Sequence, residues 1–173
     1  VDGLSVADLD RYREAIILMG DYEKSCGFIC GKTDLAHWNP LEICHLLHST
    51  KDYYGTLEDL VPQYTQENIR DYIKVSVNNL YHEICHRYLH SSREKNLAQL
   101  PCTYRSVFFI LQNLFYLEHG VFVQTKAELL SLLSGEDRSV LDTAMQLAQG
   151  GKYDFPAAFS LLFSWCQDTM KKL

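Results

Sequence analysis

Apolar residues recur at three- and four-residue intervals along most of the chain, and no stretch of strand length alternates with period two, so the pattern predicts helices and no substantial sheet. Ser5 begins a first helix that carries Leu9, Tyr12, Ile16, Ile17 and Met19 and closes at Gly20. From Asp21 to Pro40 the periodicity dissolves among Gly27, Gly31, Asn39 and Pro40, which reads as a loop with one short helical turn. Leu41, Cys44, His45 and His48 then mark a helix that ends before Tyr54-Gly55. The longest helix is expected from Gln66 to about His90, with Ile69, Ile73, Leu80 and Ile84 on one stripe and Asp71, Asn78 and His82 on the opposite side.

Ser91 to Leu100 is polar and reads as a loop, after which Pro101 opens a central helix bearing Val107, Leu111, Leu114 and Phe115. Gly120 follows its last apolar turn, where a glycine can take a left-handed conformation and stop the helix. Thr125 and Glu128 form a T-x-x-E capping signal for the next helix, which carries Leu129, Leu130 and Leu133. A short helix from Ser139 to Gln149 stops at Gly150-Gly151, and Asp154 caps a last helix with Phe155, Phe159, Leu162, Phe163, Cys166 and Met170 on its apolar stripe. Six or seven helices with short connections predict an all-α up-and-down bundle.

The sequence of 173 residues suits a single helical domain spanning 1–173, with no linker-like segment. A formal charge of −6 with 16 basic residues argues against a basic nucleic-acid-binding surface, while an acidic face suits a small cationic ligand. No apolar run reaches the ~18 residues of a membrane span, so no membrane association is expected. Six cysteines, three of them (Cys44, Cys85, Cys166) within helical apolar patterns, read as reduced thiols of a cytoplasmic protein.

The sharpest chemical motif is His82-Glu83-Ile84-Cys85-His86, an H-E-x-x-H match on the long helix, in which two imidazoles one turn apart can share zinc with Glu83 as general base. A zinc hydrolase needs a third ligand. Leu89 and Ser92 occupy the positions where an extended motif places its glycine and third histidine. Cys26 and Cys30 are separated by three residues, not two, and His37 and His45 complete a Cys2His2 set only through a loop closure that the sequence does not specify. No phosphate-binding loop of the Walker or dinucleotide type occurs.

The central unit, with Tyr116-Leu117-Glu118-His119-Gly120 and Lys126 just before Ala127-Glu128, resembles the C-terminal helical domain of aminoglycoside adenylyltransferases of the streptomycin/spectinomycin type. Asn113, Tyr116, Leu117, Gly120, Val123 and Lys126 keep the rhythm of that family's run. The likeness extends upstream to Asp52-Tyr53-Tyr54-Gly55 and downstream through Val140 to Ala148. The resemblance implies an accessory wall of a substrate and nucleotide cleft, not catalytic by itself, with ATP and Mg held in a parent protein whose N-terminal nucleotidyltransferase domain is the expected partner. A chain opening on Val1 fits that order.

By motif position Lys126 is the candidate for the ATP phosphates, although it follows Gly120 by six residues where the family's lysine follows by five. Candidates for contact with the substrate are Glu118 and His119 at the end of the central helix and Asp71, Asn78 and His82 on the polar side of the long one. The glycine-serine turn and D-x-D pair that the family uses for metal-assisted transfer are absent, since Asp8-Leu9-Asp10 lies on a helix without that turn. Antibiotic modification by the parent is what the likeness implies. The competing expectations are zinc-dependent hydrolysis at His82 and His86 with Glu83, and a helical protein-interaction module.

Overall fold

A computed structural model describes residues 2–20, 22–25 and 29–173, leaving aside the side chain of Lys24. Among these residues every regular element is helical and there is no strand. The chain divides into two compact units, Val1–Tyr64 and Thr65–Leu173.

In the first unit α1 (Val6–Leu18) starts where Ser5 predicted: the Ser5 hydroxyl accepts from the Asp8 amide while the Asp8 carboxylate accepts from the Ser5 amide at 3.0 Å. None of the α1 side chains is buried. The stretch read as loop holds a 3-10 turn (Tyr22–Lys24) and a short helix, α2 (Lys32–Ala36). Gly31 precedes α2 because the chain passes close: a Cβ there would lie 3.0 Å from the Asp2 carbonyl oxygen and the Gly3 Cα. Thr33 fastens the crossing, donating to the Asp2 carbonyl from its amide at 2.9 Å and its hydroxyl at 2.7 Å. Asn39 and Pro40, expected as loop punctuation, instead start α3 (Pro40–Ser49), with the Asn39 side chain accepting from the Leu41 amide and Pro40 in the first turn, where its missing N–H costs nothing. Leu35, Ile43 and Cys44 are the buried apolar residues here. A second 3-10 turn (Leu57–Leu60) packs on α2, and the Tyr64 hydroxyl lies 3.2 Å from His48 Nε2.

The second unit is a helical bundle. Its first helix, α4 (Gln66–His90), spans the predicted range, and Thr65 and Asn68 cap its start reciprocally. Ile69, Ile73, Val77, Leu80 and Ile84 form the buried stripe, whereas Tyr88 is more than half exposed. The expected loop after α4 is corrected to a helix, α5 (Arg93–Thr103), capped by Ser92. Its polar residues are good helix formers, but a helix of 11 residues relies on packing, which the buried Leu100 supplies.

Pro101 therefore lies inside α5 and does not open the central helix. A proline there leaves the carbonyl four residues earlier without its helical donor. That carbonyl belongs to Leu97, and the Tyr153 hydroxyl donates to it from the segment between α8 and α9. Tyr153→Phe should cost about 0.5–1.5 kcal/mol. The loss should shrink in a Pro101→Ala background, where a backbone N–H returns to Leu97; urea titrations of the four proteins in the cycle measure the coupling, and equal losses in both backgrounds would refute it.

The central helix, α6 (Arg105–His119), is followed by α7 (Lys126–Leu132), α8 (Gly135–Ala148) and α9 (Phe155–Lys172). α8 begins at Gly135, earlier than Ser139, because Glu136 and Asp137 in its first turn accept from Ser164 Oγ and Trp165 Nε1 of α9, both at 2.7 Å. Acceptor carboxylates are also favoured at that end by the helix dipole. α4 packs on α6 and α9, and α8 closes the ring by packing on the same two helices; α5 touches α4, α6 and α8, and α7 lies on α8. Inside the ring Tyr104, Ile110, Leu111, Leu141, Leu162 and Trp165 are almost wholly buried, and the Tyr104 hydroxyl donates to the Ala158 carbonyl at 2.7 Å. The α9 stripe is rotated from the expected one: Ala158, Leu162, Trp165, Cys166 and Thr169 face inward, while Phe155, Phe159 and Phe163 flank them, half-buried.

Candidate functional site

At the α6–α7 corner the structure keeps the glycine stop and the Thr125 cap that the sequence predicts, and adds a tertiary clamp. Gly120 ends α6 at φ +68, in the left-handed region, with its amide bonded to the Tyr116 carbonyl at 2.8 Å. No atom lies within 4 Å of where a Cβ would stand, so Gly120→Ala should cost about 1 kcal/mol through backbone strain alone. Thermal denaturation checks this; a neutral substitution would show that the turn rearranges freely.

Beyond the glycine the chain turns back along α6. Gln112, buried at 2% exposure, donates its Nε2 to the Val123 carbonyl at 2.6 Å, and Val123 is buried beneath it. Phe122 meets the Tyr116 ring edge-on at 5.7 Å between centroids. Thr125 then caps α7, accepting from the Glu128 amide at 3.2 Å.

This return path separates the candidate residues. Lys126 is exposed at the start of α7, and its ammonium stands 5.7 Å from the Phe108 ring centroid, within cation–π range. Glu118 and His119 stand at the other end of α6, half-exposed and 3.8 Å apart, with the His119 ring tilted by 44° to that of Phe115 at 4.3 Å between centroids. Phe108 and Glu118 are ten residues apart, about 15 Å along the helix axis. The lysine and the glutamate–histidine pair thus occupy opposite ends of one helix. Asn113, a residue of the resemblance, is buried and donates to the Phe109 carbonyl at 2.8 Å, a role inside the helix.

On α4, Asp71 is half-buried and Asn78 and His82 are exposed along the face opposite the core stripe. His82 and His86 lie one turn apart with ring centroids 6.0 Å from each other, and His90 continues the row, 4.8 Å from His86. Glu83 points to a different flank, where its carboxylate pairs with Arg87 at 3.0 Å and accepts from the Thr103 hydroxyl at 3.1 Å. In this arrangement the glutamate of the H-E-x-x-H match is engaged in holding α5 to α4. Among the described residues no cluster of three histidine, cysteine or acidic side chains forms a metal cage. Beside the histidine row, Tyr88, Phe155, Phe159, Phe163 and Tyr81 form a run of ring contacts between α4 and α9, over recesses of about 430 and 490 Å³.

Cys26 and Gly27 lie outside the described residues. Cys30 is half-buried, and burial pushes its thiol above the ordinary range. His37 Nδ1 lies 2.8 Å from the Thr33 carbonyl, which can only accept, so this nitrogen carries the proton and donates. Burial pulls His45 below the usual histidine range. Asp8 is held low by its bonds to Ser5, so its carboxylate serves the helix cap. Sequence reasoning missed Gln112, whose role depends on a carbonyl eleven residues away, and no periodic or motif signal marks it.

No family model, no curated protein and no solved structure matches this chain. No helix among the described residues is long and apolar enough to cross a membrane.

Proposed function

We propose that this chain is a helical accessory part of a nucleotidyltransferase-like protein of the aminoglycoside adenylyltransferase type, forming a wall of a nucleotide and substrate cleft and not catalytic by itself. The observation that supports the reading is the α6–α7 corner, where Gly120 reverses the chain, Gln112 clamps the returning segment and Lys126 is held out to solvent over Phe108. An exposed ammonium suits a phosphate as a point charge. The half-exposed Glu118 and the overall acidic balance suit a small cationic substrate.

The chain has no glycine-serine turn with a following D-x-D pair, so ATP·Mg chemistry on this reading requires those carboxylates from an N-terminal nucleotidyltransferase domain acting as partner. Titration of the isotopically labelled chain with ATP·Mg should shift amide resonances at residues 123–128, and Lys126→Ala should abolish the shifts while leaving the rest of the spectrum unchanged. Streptomycin should perturb the neighbourhood of Glu118 and His119. No perturbation at either place, at millimolar ligand, would overturn the proposal.

A further inference from the structure

The row His82, His86 and His90 is not used in the reading above, and its spacing carries its own chemistry. Imidazoles at i and i+4 on a helix stand on one face, one turn apart. A metal bound by two ring nitrogens at about 2.0–2.1 Å lies about 3.2 Å from each ring centroid, so cis ligands have centroids about 4.5–5.2 Å apart. The His86–His90 pair, at 4.8 Å and with its rings tilted by 49°, already has that separation. The His82–His86 pair, at 6.0 Å, is wider than that range.

Position along the helix points the same way. His90 is the last residue of α4, where unsatisfied carbonyls concentrate partial negative charge and favour a bound cation. Arg87, the cation nearest in sequence, is turned to the other flank, where it pairs with Glu83 and donates to Gln99. Both histidines are exposed, so a metal reaches them without any rearrangement of the core and keeps its remaining positions for water.

We propose that His86 and His90 form a two-histidine surface chelate for a borderline divalent transition metal of the zinc, nickel and copper group. The site is distinct from the H-E-x-x-H reading, because it uses the second and third histidines and leaves Glu83 in its ion pair. Isothermal titration of the tag-free chain, its accessible thiols first alkylated, with ZnCl2 and with CuCl2 in a buffer that does not coordinate metals should show one saturable site that takes copper more tightly than zinc. His86→Ala and His90→Ala should each weaken binding about tenfold or more, since the second ligand of a chelate binds intramolecularly. His82→Ala should leave it within about twofold of the parent on the same argument. All three positions are exposed, so the variants keep the fold, and circular dichroism verifies it. The proposal is overturned by the absence of a saturable site, by binding that survives in the His86→Ala/His90→Ala double variant, or by a loss in His82→Ala as large as that in His90→Ala.

Discussion

Trp165→Ala is expected to be among the most damaging single substitutions in the second unit, at about 3–5 kcal/mol. Trp165 is 1% exposed, heads the fully buried side chains by volume, and lies on α9 where that helix meets α8. Removing the indole opens a cavity that the surrounding helices fill only in part, and it also removes the 2.7 Å donor to Asp137 at the start of α8. For a domain whose whole stability is of order 5–15 kcal/mol, a loss of that size is a large share of the margin. Trp165→Phe separates the two contributions: it retains most of the apolar volume and deletes the hydrogen bond to a carboxylate, a loss of about 1.5–3 kcal/mol. Urea unfolding followed by far-ultraviolet circular dichroism reads both as shifts of midpoint. An alanine variant within 1 kcal/mol of the parent would mean that α8 and α9 are not joined through this residue.

Raising the pH should weaken the same core. Burial raises the Tyr104 hydroxyl far above its ordinary range, and burial likewise pushes the Cys166 thiol up to about 12. Both groups are neutral when folded and ionise more readily when unfolded. The folded state therefore binds more protons, and stability falls as pH rises. Their contribution is complete below the unfolded values of 9.0 for the thiol and 10.0 for the hydroxyl, and it is lost progressively above them, through about 12 for Cys166. At about 1.4 kcal/mol per pH unit for each group, the loss between pH 9 and pH 11 comes to about 4 kcal/mol. Denaturation midpoints measured across that interval under reducing conditions should show it. The Tyr104→Phe/Cys166→Ala double variant, less stable at pH 8, should show a much flatter dependence; an unchanged slope would place the alkaline transition elsewhere.

Much of the fold was legible in the sequence because local signals agreed with the global packing. Ser5, Thr125 and Asp154 each cap the helix that the pattern assigned to them, and Gly120 takes the left-handed conformation that the end of an apolar run suggested. The span of α4 was readable from its stripe of isoleucines and Leu80. α5 was not. Its segment is dominated by charged and amide side chains around a proline, and what makes it a helix is the docking of Leu100 and a hydrogen bond to the Leu97 carbonyl from Tyr153, fifty-six residues further along.

For the candidate residues the division is similar. The sequence marked Lys126, Glu118, His119 and the histidines of α4 by residue type and spacing, but spacing along a chain does not say which ends of a helix face one another. The return of residues 121–125 along α6, held by Gln112, places Lys126 over Phe108, about 15 Å along the helix axis from Glu118. On α4 the H-E-x-x-H pattern put His82, Glu83 and His86 in one motif, while the contacts of Arg87 and Thr103 draw Glu83 to a different flank from the imidazoles.

The sequence by itself thus determined the helical class, the caps at Ser5, Thr125 and Asp154 and the glycine stop at Gly120, since each depends on side-chain chemistry within one turn of the backbone. Only the tertiary structure decided that α5 is a helix, that Trp165 and not the phenylalanines centres the inner face of α9, and that His86 and His90 are the closer histidine pair. Those outcomes depend on hydrogen bonds and packing between residues distant in sequence, or on the rotamers neighbouring side chains adopt, and neither leaves a mark in local periodicity.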